Sequence, residues 1–234
     1  MGQVPEKSGV SSAVDAFLDK AARVPAPSGD RGRLIFALDA TMSRQPTWDL
    51  AQGLQQRMFE TAGHHGGLDV QLVYFRGLME CRASRFVSQG AGLADFMSKI
   101  DCRGGHTQIG KVLSHVRDEA TAARVGALVY IGDAMEENAD RLCALAGEIG
   151  LRGVKAFMFH EGSDRTAGAT FREIARLTGG AYAAFDAGAP QKLASLLGAA
   201  AAYAAGGLAA LQSEAGNGNA SARLLIEQMG GKTS

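Results

Sequence analysis

The sequence carries no surplus of charge of either sign. Its 234 residues include 24 lysine and arginine side chains and 24 aspartate and glutamate side chains, so the formal net charge at pH 7 is zero. Proteins that bind nucleic acid or anionic membrane surfaces usually carry a basic excess on one face. We therefore expect no nucleic-acid partner.

Cysteine is scarce, and the first nine residues are polar in character. Only Cys81, Cys102 and Cys143 occur, and no two of them are close enough in the sequence for a zinc knuckle. The first nine residues contain no apolar run of the kind that a secretory signal needs. These features predict reduced thiols, no disulfide framework and a cytoplasmic location.

The remaining composition is that of an ordinary folded domain. Hydrophobic residues make up 46% and charged residues 21% of the chain, so a substantial core can form. Short apolar segments alternate with segments of helical periodicity, which predicts a three-layer, doubly wound α/β fold with a mainly parallel sheet. The predicted strands are 34–38, 68–75, 81–87, 127–131, 154–159 and 181–185, and the predicted helices are 47–62, 93–100, 109–120, 139–149, 170–177 and 190–212. The third strand is more polar than the others, which predicts an antiparallel strand at one edge.

This pattern divides the chain into three regions. Residues 1–30 are predicted to form a helix, over 10–24, and a linker; residues 31–212 form the α/β domain; and residues 213–234 form a flexible tail, in which 221–229 is either a short helix or disordered. Residues 193–211 carry no charge, and their length approaches that of a membrane span. Because this segment is rich in alanine and broken by glycine, we predict a helix that closes the core with its small residues outward, and no membrane insertion.

Oxygen-bearing side chains follow two of the predicted strands and precede one helix. Asp39, Thr41 and Ser43 come directly after the first strand, Asp133 follows the strand 127–131, and Thr107 stands just before the helix that starts at 109. The carboxyl ends of parallel strands meet at one edge of a sheet, where ligands bind. Carboxylate and hydroxyl oxygens are the donors that hard cations such as Mg²⁺ prefer. The sequence therefore predicts one cation site built from these five side chains.

Taken one at a time, the same residues have simpler interpretations. Asp39, Thr41 and Ser43 suit the cap of the following helix, Thr107 suits an N-cap, and Asp133 suits a turn. Their joint occurrence at the ends of three elements is what favours the cation site.

The pattern resembles the metal-ion-dependent adhesion site of von Willebrand factor A domains. The D-x-[ST]-x-S element at 39–43, the loop threonine and the later aspartate occur in the order and spacing of that family. The likeness extends over residues 31–212 and includes the segment 174–182. Threonine at position 41, where serine is commoner, is a departure that keeps the hydroxyl.

This resemblance implies a role for each residue and a function. Thr41 and Ser43 would bind Mg²⁺ (or Mn²⁺ or Ca²⁺ in its place) through their hydroxyls, Thr107 would join when a ligand is engaged, and Asp39 and Asp133 would act directly or through water. The open position would take an aspartate or glutamate of a partner protein. Resemblance to intracellular bacterial members implies a scaffold or adaptor rather than an enzyme, with an ATPase, a chaperone or a stress-response complex as partner.

Two other functions remain open from the sequence. Asp39 at a strand end also resembles the nucleophile of Mg²⁺-dependent phosphohydrolases, although Thr41 stands where those enzymes have a second aspartate. A metal-free structural protein that oligomerises through its helices is the other alternative.

The segment 105–111 fits the phosphate-binding pattern G-x-x-x-x-G-K, but Val112 replaces the serine or threonine that would hold Mg²⁺. A glycine-rich loop beside the cation is therefore preferred to a nucleotide site.

Two further interpretations concern residues near these strand ends. Glu136 and Glu137 are interpreted as the rim of the cation site or as the first turn of the next helix, where acidic side chains suit the helix dipole. His160 is interpreted as a residue of the surface or of the edge of the core.

Overall fold

The computed structural model describes residues 31–41, 45–186 and 188–230. The predicted helix over 10–24 and the predicted site residue Ser43 lie outside these ranges.

A six-stranded sheet forms the centre of the described part of the chain. Its strands are β1 (Gly32–Asp39), β2 (Leu68–Arg76), β3 (Glu80–Val87), β4 (Ala127–Gly132), β5 (Lys155–Glu161) and β6 (Ala181–Phe185). Their order across the sheet is β3-β2-β1-β4-β5-β6. All neighbours pair in parallel except β2 and β3, which form an antiparallel hairpin. The predicted mainly parallel sheet with one antiparallel edge strand is confirmed.

The burial of each strand agrees with its place in the sheet. All six residues of β4 are buried, and β1 is buried from Leu34 onward. Strands that are covered by helices on both faces read as continuous apolar runs. By contrast, no residue of β3 is fully buried, because one of its long edges has no neighbouring strand.

Seven helices cover the two faces of the sheet in the described residues. They are α1 (Gln45–Gly63), α2 (Gly90–Met97), α3 (Ile109–Ala122), α4 (Ala139–Leu151), α5 (Arg165–Thr178), α6 (Pro190–Gly216) and α7 (Ala220–Gln228). One core cluster joins the sheet to α1, α2, α6 and α7, and a second cluster on the other face joins it to α3, α4 and α5. The three-layer, doubly wound α/β fold is therefore confirmed.

The helix boundary that differs most from the prediction is the start of α5. Helix α5 begins at Arg165, whereas the sequence pattern placed its start at 170. The Asp164 side chain accepts a hydrogen bond of 2.7 Å from the backbone N–H of Ala167, which caps the first turn. Gly168 in the first turn weakens the apolar periodicity there, so the cap was the better signal.

Helix α6 is a core helix, but the predicted outward placement of its small residues is wrong. Ala199, Ala200, Ala201 and Ala202 are all buried, because α1 and α7 cover the sides of the helix that do not face the sheet. The helix bends at Gly206 and Gly207, whose backbone angles are not helical. Among the described residues it is the one helix long and apolar enough to cross a membrane, yet 67% of its most apolar window is buried inside the fold.

The region predicted as a tail is described as far as residue 230. It contains the end of α6 and the helix α7, which is capped by the Asn219 side chain through a hydrogen bond of 3.1 Å from the N–H of Ala222. Leu225 and Ile226 of α7 are fully buried against the core.

Candidate metal centre

The predicted site residues lie at the carboxyl edge of the sheet. Strand β1 ends at Asp39, and Asp133 directly follows the end of β4, its neighbour in the sheet. The loop between α2 and α3 is held across the same edge, where the N–H of Arg103 donates to the carbonyl of Ala40 at 2.9 Å. Parallel pairing therefore brings together residues that are far apart in the sequence.

Four of the five predicted residues line a single cavity of about 200 Å³. They are Asp39, Thr41, Thr107 and Asp133, and the other lining residues are Gly104, Gly105, Ala134 and Glu136. Asp39, Thr41 and Thr107 are only 5%, 8% and 7% exposed. These three residues are therefore largely shielded from bulk water. Ser43, the fifth predicted residue, lies outside the described residues.

The turn after β1 is shaped by Asp39 itself. Its Oδ1 atom accepts a hydrogen bond of 2.8 Å from the backbone N–H of Thr41. An aspartate that bonds the amide two residues further along the chain closes a tight local turn. This turn keeps Thr41 close to the Asp39 carboxylate, and both residues line the cavity.

Gly105 is required where the loop meets the β2–β3 hairpin. A Cβ atom at Gly105 would lie 2.2 Å from the carbonyl oxygen of Gly77, which is backbone and cannot rotate away. A Cβ atom at the adjacent Gly104 would have no atom within 4 Å. The close approach of two backbone segments therefore explains one of the two glycines before Thr107.

Thr107 is held by Glu136, a residue to which the sequence interpretation gave no contact. The Oε2 atom of Glu136 accepts hydrogen bonds from the backbone N–H and the hydroxyl of Thr107, at 3.0 and 2.7 Å. Burial acts to raise the pKa of Glu136, but several lowering effects, led by the two hydrogen bonds from Thr107, leave the pKa below its usual range. Glu136 is therefore an ionised side chain that orients the Thr107 hydroxyl at the cavity wall.

Glu137 has a structural role that differs from both interpretations of the sequence. Its carboxylate accepts hydrogen bonds from the backbone N–H groups of Ile109 and Gly110, the latter at 3.0 Å, and so caps the first turn of α3. The next helix along the chain, α4, starts only after the capping residue Asn138. The first-turn interpretation of Glu136 and Glu137 is therefore wrong, while Glu136 does line the cavity.

His160 is buried, with 2% of its surface exposed, so its interpretation as a surface or core-edge residue is wrong. The reason is that β5 is an internal strand covered by α5. The Nε2 atom of His160 is 3.2 Å from the backbone carbonyl oxygen of Asp133, and its Nδ1 atom is 2.9 Å from the hydroxyl of Tyr182. A carbonyl can only accept, so Nε2 carries the proton in this arrangement. His160 thereby holds the loop that carries Asp133.

A buried tyrosine lies within electrostatic reach of the cavity's carboxylates. The hydroxyl of Tyr130 is fully buried and has no hydrogen-bond partner among the described residues. Burial, followed by the negative charges of Asp39, Glu137, Asp133 and Glu136, raises the pKa of Tyr130 well above its usual value. Carboxylate charge is therefore concentrated at this edge of the sheet, which favours the binding of a cation.

The donors at the cavity fit a hard divalent cation. Within the described ranges, no group of three or more histidine, cysteine, aspartate or glutamate side chains is placed to hold a metal ion. An ion here would therefore use the hydroxyls of Thr41 and Thr107 beside the two aspartates. That set of oxygen donors suits Mg²⁺, which takes one or two carboxylates and keeps several waters.

Lys111, the lysine of the phosphate-binding pattern, bonds other parts of this protein. The Nζ atom of Lys111 donates to the carbonyl of Met79 at 2.8 Å and to the side chain of Gln108 at 2.9 Å. These contacts hold the β2–β3 hairpin against α3, which agrees with the preference for a glycine-rich loop over a nucleotide site.

The sequence matches no protein-family model and no curated protein. The structure, in contrast, is similar to solved structures. A von Willebrand factor type A protein from Catenulispora acidiphila gives a TM-score of 0.61 at 14% identity, over 74% of this chain and 43% of that one. An aerotolerance-related membrane protein from Bacteroides fragilis gives 0.52 at 21% identity, over 71% of this chain and 98% of that one.

A third similar structure is that of proximal thread matrix protein 1 from the mussel byssus, with a zinc-occupied metal-ion-dependent adhesion site. It gives a TM-score of 0.58 at 16% identity, over 73% of this chain and 48% of that one. This chain therefore spans less than half the length of two of these three proteins. At such identities the likeness establishes the fold.

Proposed function

We propose that this chain, which has the fold of von Willebrand factor A domains, is a metal-dependent protein-interaction module. It would hold one Mg²⁺ ion at the cavity and bind through it an aspartate or glutamate of a partner protein. The observation that carries the proposal is that Asp39, Thr41, Thr107 and Asp133 come from three separate loops and line one cavity. Domains of this fold are generally interaction modules, not enzymes.

Each residue has a chemical part in this proposal. Asp39 and Asp133 supply the negative charge that attracts the cation, and Thr41, Thr107 and Ser43 supply neutral hydroxyl oxygens. Because only two of its proposed ligands are carboxylates, a divalent ion keeps enough positive charge to attract a carboxylate from outside. The zinc ion in the corresponding type of site in the mussel protein supports the proposal of a divalent cation, whatever its identity. We propose Mg²⁺, with Mn²⁺ and Ca²⁺ as alternatives, because the donors are all hard oxygens and zinc favours nitrogen and sulfur.

We also propose a cytoplasmic adaptor role, with an ATPase, a chaperone or a stress-response complex as the partner. The support for this is the resemblance of the motif to that of intracellular bacterial members of the family.

A direct test is Mg²⁺ binding to purified wild type, Asp39→Ala and Asp118→Ala, measured by titration calorimetry. Asp118 is the matched control because it is an exposed aspartate on α3 whose partner is the adjacent Arg117. We expect wild type and Asp118→Ala to bind one equivalent of Mg²⁺ and Asp39→Ala to bind at least tenfold more weakly. Undiminished Mg²⁺ binding by Asp39→Ala would contradict the proposed site.

Partner capture separates this function from the two alternatives. We expect proteins eluted by EDTA from immobilised wild type, identified by mass spectrometry, to be missing from the Asp39→Ala sample. Capture that survives both chelation and this substitution would favour a metal-free structural protein. Mg²⁺-dependent hydrolysis of p-nitrophenyl phosphate, abolished by Asp39→Asn, would favour the phosphohydrolase.

A further inference from the structure

Two large apolar side chains stand side by side in solvent at the tip of the β2–β3 hairpin. Leu78 is 71% exposed and Met79 is 76% exposed. A single exposed apolar side chain is ordinary on a soluble protein, but adjacent ones on a turn form a patch that favours an interaction. Among the described residues, the remaining large hydrophobic side chain with such exposure is Leu151, at 91%.

The hairpin tip lies at the same edge of the sheet as the cavity. Strands β1 and β2 run in parallel with Asp39 opposite Phe75, so the turn after β2 is level with the loop after β1. The cavity loop contacts the tip directly, since the N–H of His106 donates to the carbonyl of Gly77 at 3.1 Å. Gly105, which lines the cavity, packs against the backbone of Gly77. Leu78 and Met79 are therefore neighbours of the proposed metal site.

The tip is held in place although its two side chains are exposed. The Nε2 atom of Gln108 lies 3.4 Å from the carbonyl of Gly77 and 3.2 Å from that of Glu80. Lys111 bonds the carbonyl of Met79. Because the backbone of the tip is already held, covering the patch costs little backbone conformational entropy.

We propose that Leu78 and Met79 form an apolar subsite of the metal face. The partner is then a protein segment that carries an aliphatic or aromatic side chain within a few residues of its metal-bound aspartate or glutamate. A backbone hydrogen bond joins the loop that lines the cavity to the turn that carries the patch, so the patch is continuous with the metal face. A carboxylate bound to the ion orients the partner segment, but it does little to distinguish one acidic segment from another. Burial of an apolar side chain against Leu78 and Met79 provides that selectivity. This inference rests on the proposed function.

The test uses a display library of 12-residue peptides with a fixed central glutamate, selected on the full chain in Mg²⁺ and eluted with EDTA. We expect aliphatic and aromatic residues to be enriched within four positions of the glutamate. The same selection on Leu78→Ser/Met79→Ser should lose this enrichment, and selection on Leu151→Ser should keep it. Leu151 is the matched control because it ends α4 at the opposite edge of the sheet, just before β5 begins.

One selected peptide, labelled for fluorescence anisotropy, then gives the size of the effect. Full burial of a side chain such as leucine or methionine corresponds to roughly tenfold or more in affinity. We expect Leu78→Ser/Met79→Ser to bind this peptide at least tenfold more weakly and Leu151→Ser to bind it within twofold of wild type. Calorimetric Mg²⁺ affinity should be the same in all three proteins.

These measurements distinguish a failure of the apolar subsite from a failure of the metal-dependent function. If EDTA-eluted peptides need their glutamate but show no apolar enrichment, or bind Leu78→Ser/Met79→Ser as tightly as wild type, the apolar subsite is wrong and the metal-dependent function stands. If no peptide depends on Mg²⁺, the proposed function fails and the subsite fails with it.

Discussion

At the scale of single residues, Gly104 and Gly105 look equivalent in the sequence but have different surroundings. Both precede Thr107 and both line the cavity. Only Gly105 touches the hairpin backbone, whereas Gly104 has open space where a side chain would begin. Glycine is needed where two backbones approach closely, so the two positions should tolerate alanine very differently.

We predict that Gly105→Ala impairs the metal site and Gly104→Ala does not. The new Cβ atom at Gly105 would lie 2.2 Å from the carbonyl of Gly77, so the loop that carries Thr107 must move. Titration calorimetry should find Mg²⁺ affinity at least tenfold lower for Gly105→Ala and within twofold of wild type for Gly104→Ala. Equal affinities for the two variants would mean that the contact with the hairpin does not position Thr107.

The residues that hold the site were harder to find from the sequence than the residues that line it. Asp39, Thr41, Thr107 and Asp133 were predicted because their oxygens and their places after a strand or before a helix are visible locally. The role of Glu136 depends on a hydrogen bond to Thr107, 29 positions away, and that of His160 on a bond to the backbone of Asp133, 27 positions away. A signal for these two residues was their position within a few residues of a strand end.

At the scale of elements, α1 and β1 contain glycines with opposite packing. Gly53 lies on the exposed side of α1, and a Cβ atom there would meet nothing within 4 Å. Gly32 begins β1 beneath α6, and a Cβ atom there would lie 2.1 Å from the carbonyl of Ala204. The first glycine only weakens a helix, whereas the second allows α6 to approach the sheet.

We predict that Gly53→Ala stabilises the protein and Gly32→Ala destabilises it. Alanine in an exposed helix interior is favoured over glycine by about 0.8–1 kcal/mol. Forcing α6 away from β1 should cost roughly 1–3 kcal/mol, as for other overpacked cores. Urea unfolding followed by circular dichroism measures both changes. A loss of stability in Gly53→Ala, or none in Gly32→Ala, would contradict the packing described for these elements.

At the scale of the whole molecule, binding of an ion at the cavity is linked to folding. The proposed ligands come from loops after β1 and β4 and from the start of α3, so they converge only in the folded chain. An ion that binds only the folded state stabilises it by about 2.7 kcal/mol at one hundred times its dissociation constant. In a chain of this length such a change raises the midpoint of thermal unfolding by roughly 5–10 °C.

We therefore predict that saturating Mg²⁺ raises the melting temperature of wild type by several degrees and that excess EDTA reverses the rise. At the same Mg²⁺ concentration Asp39→Ala should show a clearly smaller shift than wild type, and Asp118→Ala should shift like wild type. Differential scanning fluorimetry with and without Mg²⁺ measures this directly. If the melting temperature of wild type does not change at any Mg²⁺ concentration, a cation site linked to the fold is contradicted.

The sequence by itself determined the alternation of strands and helices, the polar edge strand β3 and the set of oxygen donors after β1 and β4. These features are local, because strand and helix periods and the chemistry of a side chain can be read within a few residues. Only the tertiary structure decided that α6 is buried on its alanine faces, that His160 and Glu136 support the site, and that Leu78 and Met79 stand beside it. Each of these depends on contacts between segments far apart in the chain, which local patterns do not encode.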